Sequence, residues 1–208
     1  MATEPEQYQL EIIDSIAKIP ASEWNRLLPG DAGPFLNHAF LSALEETGCV
    51  GGRSGWQVAH LGLKDQDTLV GAIPLYLKQH SYGEFVFDWS WAQAYEQQGM
   101  NYYPKALCAI PFTPVQGARI LHSPEKNTSE IYSNIIAGLK SLLVANHLSS
   151  AHILFPLASE VQAFEDQGFM LRDSVQFHWH NQAFQSFEHF LAALTMKRRK
   201  NIRREREH

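Results

Sequence analysis

A long amphipathic helix between two buried strands most restricts how this 208-residue chain can fold. Residues 128–148, TSEIYSNIIAGLKSLLVANHL, carry apolar side chains at helical spacing: Ile131, Ile135, Ile136, Leu139, Leu142 and Leu143. The apolar run 105–110 precedes this helix, and the apolar run SAHILFPL, residues 150–157, follows it. A strand, a helix and a further strand in this order predict a crossover connection within an α/β sheet.

An antiparallel hairpin is predicted before this crossover. GWQVAHLGLK, residues 55–64, and TLVGAIPLYLKQ, residues 68–79, are apolar runs joined by a polar turn. The pattern predicts further strands over 8–14, 83–89 and 168–182, and further helices over 21–28, 38–48, 90–99, 159–168 and 186–194. Because antiparallel pairing comes first and a crossover later, we predict a mixed α/β fold with a largely antiparallel sheet and helices on both faces.

Composition bears on the cellular location. The two cysteines, Cys49 and Cys108, lie in unlike surroundings, which indicates a reducing compartment and no metal site. The polar, acidic N-terminus lacks the basic start and apolar segment of a signal peptide. No apolar run approaches the roughly 18 residues of a membrane span. We therefore predict a soluble, cytoplasmic protein whose oligomeric state the sequence leaves open.

The charge is divided unevenly along the chain. Residues 1–196 carry 10 Lys and Arg against 20 Asp and Glu, a net charge of −10, whereas residues 197–208 carry seven against two, a net charge of +5. A solvated helix is one interpretation of this basic tail. The other is an anion contact by Arg199, Lys200 and Arg203 with tRNA phosphates, a nucleotide diphosphate or an acidic membrane surface.

Two stretches of the chain carry a resemblance to a known family. Residues 82–121, YGEFVFDWSWAQAYEQQGMNYYPKALCAIPFTPVQGARIL, resemble the signature of a bacterial FemAB-like group associated with peptidoglycan biosynthesis or recognition. Residues 195–207, TMKRRKNIRRERE, resemble the basic connector of that group. The order of strands and helices is also similar to the GNAT acyltransferase fold. The resemblance implies a GNAT-like domain over 1–185, with 186–208 as a helix and connector to a second, missing GNAT-like unit.

The resemblance also implies a reaction. Fem-type proteins move an amino acid from aminoacyl-tRNA to a peptidoglycan precursor peptide. By resemblance, we expect an acyl- or aminoacyltransferase that acts on an amine acceptor and takes acyl-CoA or aminoacyl-tRNA as donor. The alternative is a non-catalytic module that recognises a peptidoglycan precursor or peptide.

A turn at residues 116–119 corresponds by resemblance to the phosphate cradle of GNAT enzymes. That cradle reads Gln/Arg-x-x-Gly-x-Gly/Ala and holds the pyrophosphate of coenzyme A through backbone N–H groups. Here the second glycine is missing, and about ten residues separate the turn from the next helix. We expect Thr113, Gly117 and Arg119 to bind substrate, with Arg119 donating to a phosphate. The structural alternative is a turn stiffened by Pro111 and Pro114.

An aromatic segment with one carboxylate precedes this turn. Asp88 is the candidate catalytic residue, because it can bind an acceptor amine that must lose a proton. Trp89, Trp91, Tyr95 and Tyr103 are candidate substrate-binding residues, since aromatic rings offer flat contact area to a sugar, a base or a peptide. In the alternative, the tryptophans pack a core edge while Asp88 or Ser90 caps the following helix.

The pair His178 and His180 would share one face of the predicted strand 168–182. Zinc needs at least one more protein ligand, and the sequence nominates none, so a structural pair is favoured and a general base is left open. The sequence shows no nucleophile elbow, P-loop or paired-cysteine motif. Direct transfer to the amine, without a covalent enzyme intermediate, fits these observations.

Overall fold

The computed structural model describes residues 8–207. The chain forms two compact units, Met1–Leu171 and Arg172–His208. The sequence-based division after residue 185 remains a prediction about domain boundaries.

The first unit contains two four-stranded sheets. In the first sheet, β1 (Tyr8–Ile13), β3 (His60–Asp65), β4 (Thr68–Ile73) and β7 (Leu121–His122) lie in the order β1-β3-β4-β7, and all neighbours are antiparallel. In the second sheet, β2 (Trp56–Val58), β5 (Leu75–Lys78), β6 (Lys105–Cys108) and β8 (Ala151–Ile153) lie in the order β2-β5-β6-β8. The β6–β8 pair is parallel, as the predicted crossover requires.

The predicted hairpin is confirmed, and it links the two sheets. Its first arm is β2 followed by β3, with a break at Ala59, and its second arm is β4 followed by β5, with a break at Pro74. Proline cannot donate to a strand ladder, which explains the break at Pro74. Each arm therefore contributes one strand to each sheet.

The helices of the first unit are α1 (Ala21–Asn25), α2 (His38–Glu46), α3 (Trp89–Gln97), α4 (Thr128–Ala145) and α5 (Ala158–Asp166). Of these, α4 packs on one face of the first sheet, and α1 and α2 pack on the other. Ile131 and Ile135 of α4 pack with Leu61 and Leu63 of β3. The side chains of α1 and α2 join a separate cluster with Ile13, Leu69 and Leu121. The predicted mixed α/β class, with a largely antiparallel sheet between helices, is confirmed.

Two helices begin at asparagine caps. The side chain of Asn37 accepts the N–H of Ala39 and starts α2 at His38, the first residue of the predicted helix. The side chain of Asn127 accepts the N–H groups of Ser129 and Glu130 and starts α4 at Thr128, the first residue of the predicted helix.

Two strand predictions are wrong. Residues 83–89 and residues 168–182 contain no strand. Alternating polarity gives a segment two faces, but a strand also needs a neighbour for its backbone hydrogen bonds. The second segment leaves Val175, Phe177 and Trp179 exposed and crosses the division between the two units.

The second unit contains two helices, α6 (Phe187–Ala192) and α7 (Met196–Arg206). The side chain of Ser186 accepts the N–H of His189 at the start of α6. Among the residues that the structure describes, no helix has the length and apolarity needed to cross a membrane.

Candidate functional site

A strap of irregular backbone, residues 79–88, joins β5 to α3 and covers two buried lysines. Lys78 and Lys105 lie directly opposite each other on β5 and β6, and both side chains are fully buried. The ammonium group of Lys78 donates to the backbone carbonyl of Tyr82 at 3.2 Å and lies 3.7 Å from the ring centre of Trp56. Burial lowers the pKa of Lys78 to about 8.

Lys105 is the hub of a buried polar cluster beneath the strap. Its Nζ donates to Ser81 Oγ at 2.9 Å, to Glu84 Oε2 at 2.9 Å and to Asp88 Oδ2 at 2.5 Å. All three donor positions of the ammonium are therefore used. We call Lys105, Ser81, Glu84 and Asp88 the lysine hub. It fixes the strap at three points along ten residues of chain.

The two carboxylates of the lysine hub each keep one oxygen without a hydrogen-bond partner. These atoms, Glu84 Oε1 and Asp88 Oδ1, are buried. Burial raises the pKa of Glu84, and the attraction of Lys105 only partly offsets this effect. Burial acts in the same direction on Asp88, but the hydrogen bonds from Lys105 and Tyr102 outweigh it and leave the Asp88 pKa below its ordinary value. Asp88 is thus ionised at neutral pH with one free acceptor atom.

A chain of hydrogen bonds leads from Asp88 towards the surface. The hydroxyl of Tyr102 donates to Asp88 Oδ2 at 2.7 Å and lies 3.2 Å from His152 Nε2. His152 Nε2 is in turn 2.9 Å from the hydroxyl of Ser150, and His152 is half-buried. Burial and the neighbouring Asp88 carboxylate raise the pKa of Tyr102. The Tyr102 hydroxyl stays protonated and can relay a proton between its neighbours.

Asp88 directly precedes α3, but its side chain does not cap the helix as predicted. Its side chain makes no cap bond to α3, because the carboxylate is turned towards Lys105 and Tyr102. The backbone carbonyl of Asp88 accepts the N–H groups of Trp91 and Ala92 instead. Ser90 lies within α3 and cannot be its cap.

The strap and the first turn of α3 expose an aromatic face. Its members have exposed fractions of 66%, 56%, 74%, 45% and 42%: Tyr82, Phe85, Phe87, Trp89 and Trp91. The rings of Tyr82 and Trp89 touch, with centroids 5.3 Å apart. The alternative in which Trp89 and Trp91 pack a core edge is therefore wrong.

Tyr95 and Tyr103 contact Tyr102 and Ser81, respectively. The ring of Tyr95 packs on Tyr102 at 5.2 Å, and the hydroxyl of Tyr103 lies 2.8 Å from Ser81 Oγ. Both are half-buried. These positions support the lysine hub, and the predicted substrate contacts of the two tyrosines remain predictions.

Arg119 does not point into an open cradle. Its side chain is fully buried, and its guanidinium donates to backbone carbonyls of Leu154, Gly117, Ala118 and Val115. The phosphate contact predicted for Arg119 is therefore wrong for this conformation, since only one of its five N–H groups is left without an acceptor among these bonds. The guanidinium instead holds the turn 115–119 against the end of β8.

The backbone N–H groups of the same turn are also occupied. Gly117 donates to the carbonyl of Phe155 at 3.1 Å, and the Oε1 atom of Glu160 accepts from Arg119 at 2.8 Å and from Ile120 at 2.7 Å. Glu160 is fully buried, and its carboxylate thus takes the place that the resemblance gave to a phosphate. Residues 116–119 do not fit the pyrophosphate of coenzyme A. Thr113 lies nearby, with its hydroxyl bonded to the carbonyl of Pro111.

The basic tail forms α7, and two of its three predicted anion contacts are engaged within the second unit. The guanidinium of Arg199 donates to the carbonyls of Leu191, Ala192 and Leu194 at the end of α6. Arg203 pairs with Glu188 at 2.5 Å. Arg199 is thus a helix-end residue, which corrects its prediction as an anion contact, whereas Lys200 is exposed.

The histidine pair lies on irregular backbone. The ring centres of His178 and His180 are 6.4 Å apart, and both residues are exposed. Among residues 8–207, no group of three or more His, Cys, Asp or Glu side chains could hold a metal ion.

Sequence reasoning missed Lys105, Glu84, Lys78 and Glu160. Lys78 and Lys105 each end or begin an otherwise apolar strand run, and a lysine at the margin of a buried strand is ordinarily placed in solvent. The one sequence signal for a buried lysine partner was the charge composition of residues 79–103. Residues 79–103 contain Glu84 and Asp88 but no Lys or Arg, so their counter-charge had to come from outside the segment.

Comparison with known proteins gives one family and several remote structures. A family model described as FemAB-like, peptidoglycan biosynthesis/recognition, matches residues 15–208. A ribosomal-protein-alanine N-acetyltransferase from Brucella melitensis biovar Abortus 2308 is 11% identical, with 84% of this chain and 99% of that chain covered and a TM-score of 0.48. AAC(6')-Iy, in complex with the bisubstrate analogue CoA-S-monomethyl-acetylneamine, is 12% identical, with coverage of 84% and 99% and a TM-score of 0.47.

An acetyltransferase from Trypanosoma brucei is 12% identical, with coverage of 84% and 100% and a TM-score of 0.46. A search among curated proteins finds no match.

Proposed function

Because the chain belongs to the FemAB-like family of peptidoglycan biosynthesis and recognition, we propose that it transfers an acyl or aminoacyl group to an amine acceptor in peptidoglycan precursor metabolism. One observation carries this proposal. The Asp88 carboxylate keeps a free acceptor atom and is linked through Tyr102 to His152. Transfer to an amine needs both a group that binds the ammonium and a route for the proton that leaves it.

Asp88 serves as the ammonium-binding group in this mechanism. Its lowered pKa makes it a weak base, so it binds the charged amine and would pass a proton on without retaining it. As the amine nitrogen bonds to the acyl carbon, the ester bond to the tRNA breaks and the terminal hydroxyl of the tRNA leaves. The proton lost by the nitrogen passes from Asp88 through the Tyr102 hydroxyl to His152, and imidazole is the side chain most often used as a general base. Because Asp88 is buried, the strap must move for the amine to reach it.

The donor proposed for this reaction is aminoacyl-tRNA. Coenzyme A needs a phosphate cradle, and here Glu160 and Phe155 already accept the N–H groups of the turn 117–120. An acyl-CoA donor is therefore the alternative, and the assay described below includes it. The proposal places the reaction in the cytoplasm, where charged tRNA is found.

A non-catalytic recognition module is the second candidate. It is favoured by the ammonium of Lys105, which already neutralises Glu84 and Asp88 in the closed strap. In that function the carboxylates would only shape the aromatic face, and no proton would be transferred.

A product-mass assay separates the two candidates. The chain is incubated with alanyl-tRNA or acetyl-CoA and with a peptidoglycan precursor peptide that carries a lysine amine. We expect a mass increase on the peptide, and a loss of at least about tenfold in rate for Asp88→Asn, equivalent to about 1.4 kcal/mol in the barrier. Asp65→Asn is the matched control, because Asp65 also pairs with a lysine, Lys126, but lies outside the strap.

Saturable binding of the precursor without a mass change would overturn the transferase and support the recognition module. The absence of both would overturn both candidates.

A further inference from the structure

The polarity of the strap and of the start of α3 is inverted. Its charged residues, Glu84 and Asp88, are buried, whereas the aromatic face is exposed. Burying an ion costs several kcal/mol even when it is paired. Leaving a large apolar side chain in water forfeits about 1.5–3 kcal/mol. Stability alone would favour the opposite arrangement, so the exposed rings indicate a surface that something covers.

The lysine hub and Lys78 together fix the backbone that carries these rings. Asp88 directly precedes Trp89, the first residue of α3, and Lys78 holds the carbonyl of Tyr82. The rings of His80, Tyr82 and Trp89 consequently form a continuous row, with centroids 5.1 Å and 5.3 Å apart. Rings held in this way lose little conformational freedom when a ligand arrives.

The charges around the aromatic face argue against a charged ligand. Residues 79–103 contain no Lys or Arg, and the two lysines that flank them, Lys78 and Lys105, are both buried. An anionic ligand, such as a nucleotide or a phospholipid headgroup, would therefore find no exposed counter-charge in this segment. Glu96 is the one exposed charged residue of the segment, so a cationic ligand gains little.

Amide side chains lie one helical turn from the tryptophan. Gln93 follows Trp89 by four residues and Gln97 follows it by eight, so the three share one side of α3. Both glutamines are exposed. Each amide offers donors and an acceptor without a net charge. Flat rings next to neutral amides suit a ligand that has apolar C–H faces and hydroxyl or acetamido groups at its edges.

We propose that the aromatic face binds an uncharged carbohydrate, with a sugar ring stacked on Trp89 and Tyr82 and its polar groups bonded to Gln93 and Gln97. Of the three ligands considered for the aromatic segment, namely a sugar, a base and a peptide, this proposal selects the sugar. The interaction requires no transfer reaction, and its test reads binding alone.

The test titrates the chain with N-acetylglucosamine trimer and with cellotriose and follows tryptophan fluorescence and calorimetric heat. We expect saturable binding of at least one of the two oligosaccharides. Trp89→Ala should weaken it about tenfold or more, which corresponds to about 1.4 kcal/mol. Trp179→Ala is the matched control, because Trp179 is an exposed tryptophan of the second unit, and it should leave the affinity unchanged.

Gln93→Ala tests the edge contacts and should weaken binding about threefold to tenfold. All three variants change exposed side chains, and equal unfolding midpoints would show that they fold. The proposal is overturned if neither oligosaccharide binds at millimolar concentration. It is also overturned if Trp89→Ala and Trp179→Ala bind equally well, or if Trp89 instead proves necessary for self-association of the chain. Loss of turnover with retained oligosaccharide binding would count against the transfer reaction only.

Discussion

Glu84 and Asp88 share the ammonium of Lys105, yet their pKa values are shifted in opposite directions. Burial dominates at Glu84 and raises its pKa. At Asp88 the hydrogen bonds of Lys105 and Tyr102 outweigh burial and lower its pKa. Two carboxylates in one cluster therefore make opposite contributions to stability as the pH changes.

Asp88→Asn should lower the free energy of unfolding by about 1–3 kcal/mol at pH 7, because the charged hydrogen bonds are lost. The folded-state pKa of Asp88 is below its unfolded value of 3.8, so its contribution is present above that pH and is lost as the pH falls through the folded pKa. Urea unfolding of the wild type and the variant between pH 7 and pH 3 should show a difference that shrinks below about pH 4. A difference independent of pH would contradict this assignment.

Glu84→Gln should show the opposite trend. The folded-state pKa of Glu84 is raised above 4.5, so the folded protein binds this proton more readily than the unfolded chain. The wild type should gain stability relative to the variant as the pH falls from the folded pKa towards 4.5. The same series of urea unfolding experiments measures this gain in stability. Parallel pH profiles for Asp88→Asn and Glu84→Gln would show that the two carboxylates are equivalent.

Gly83→Ala should destabilise the strap strongly. Gly83 has a φ of +81°, and a Cβ atom there would lie 2.5 Å from a ring carbon of Phe112. We expect a loss of about 2–4 kcal/mol from backbone strain and overlap together. Gly99→Ala is the control, because Gly99 has a φ of +68° with open space around it, so only the strain of about 1 kcal/mol applies. Equal losses in thermal unfolding would show that Phe112 moves aside freely.

Glu160→Ala should cost about 3 kcal/mol or more. The carboxylate accepts three backbone N–H groups, those of Arg119, Ile120 and Leu157, and each buried N–H left without an acceptor costs about 1–3 kcal/mol. Hydrogen exchange should accelerate at these three amides. Glu130→Ala, at an exposed position of α4, should change neither the free energy of unfolding nor the hydrogen exchange of these three amides. Saturable binding of acetyl-CoA by the Glu160→Ala protein would show that this carboxylate had displaced a working phosphate site.

Arg199→Ala should loosen the end of α6. Removing its guanidinium leaves the carbonyls of Leu191, Ala192 and Leu194 without these donors, and charged donors to carbonyls contribute about 1.5–3 kcal/mol each at most. Hydrogen exchange of residues 190–194 should accelerate by at least about tenfold. Arg198→Ala, which removes an exposed charge from the same helix, should leave this exchange unchanged.

The elements that follow from local pattern were predictable, and those that depend on distant partners were not. The α4 pattern and the hairpin arms contain their own periodicity, so their class and pairing could be predicted. The alternation of residues 168–182 could not reveal that no neighbouring strand was present. Asp88 was recognised as a candidate, but its partner Lys105 lies 17 residues further on in an apolar strand. Arg119 was recognised by its type, and only the fold shows that carbonyls surround it.

The paired positions of Lys78 and Lys105 have a consequence for variation in this chain. Successive residues of a strand point to opposite sides, so a single insertion or deletion within β5 or β6 would turn one of the two ammonium groups away from the other. The connecting segment would then keep one of its anchors and lose the second. Length changes are therefore expected to be tolerated far better in the exposed segment 98–101 after α3 than in these four-residue strands.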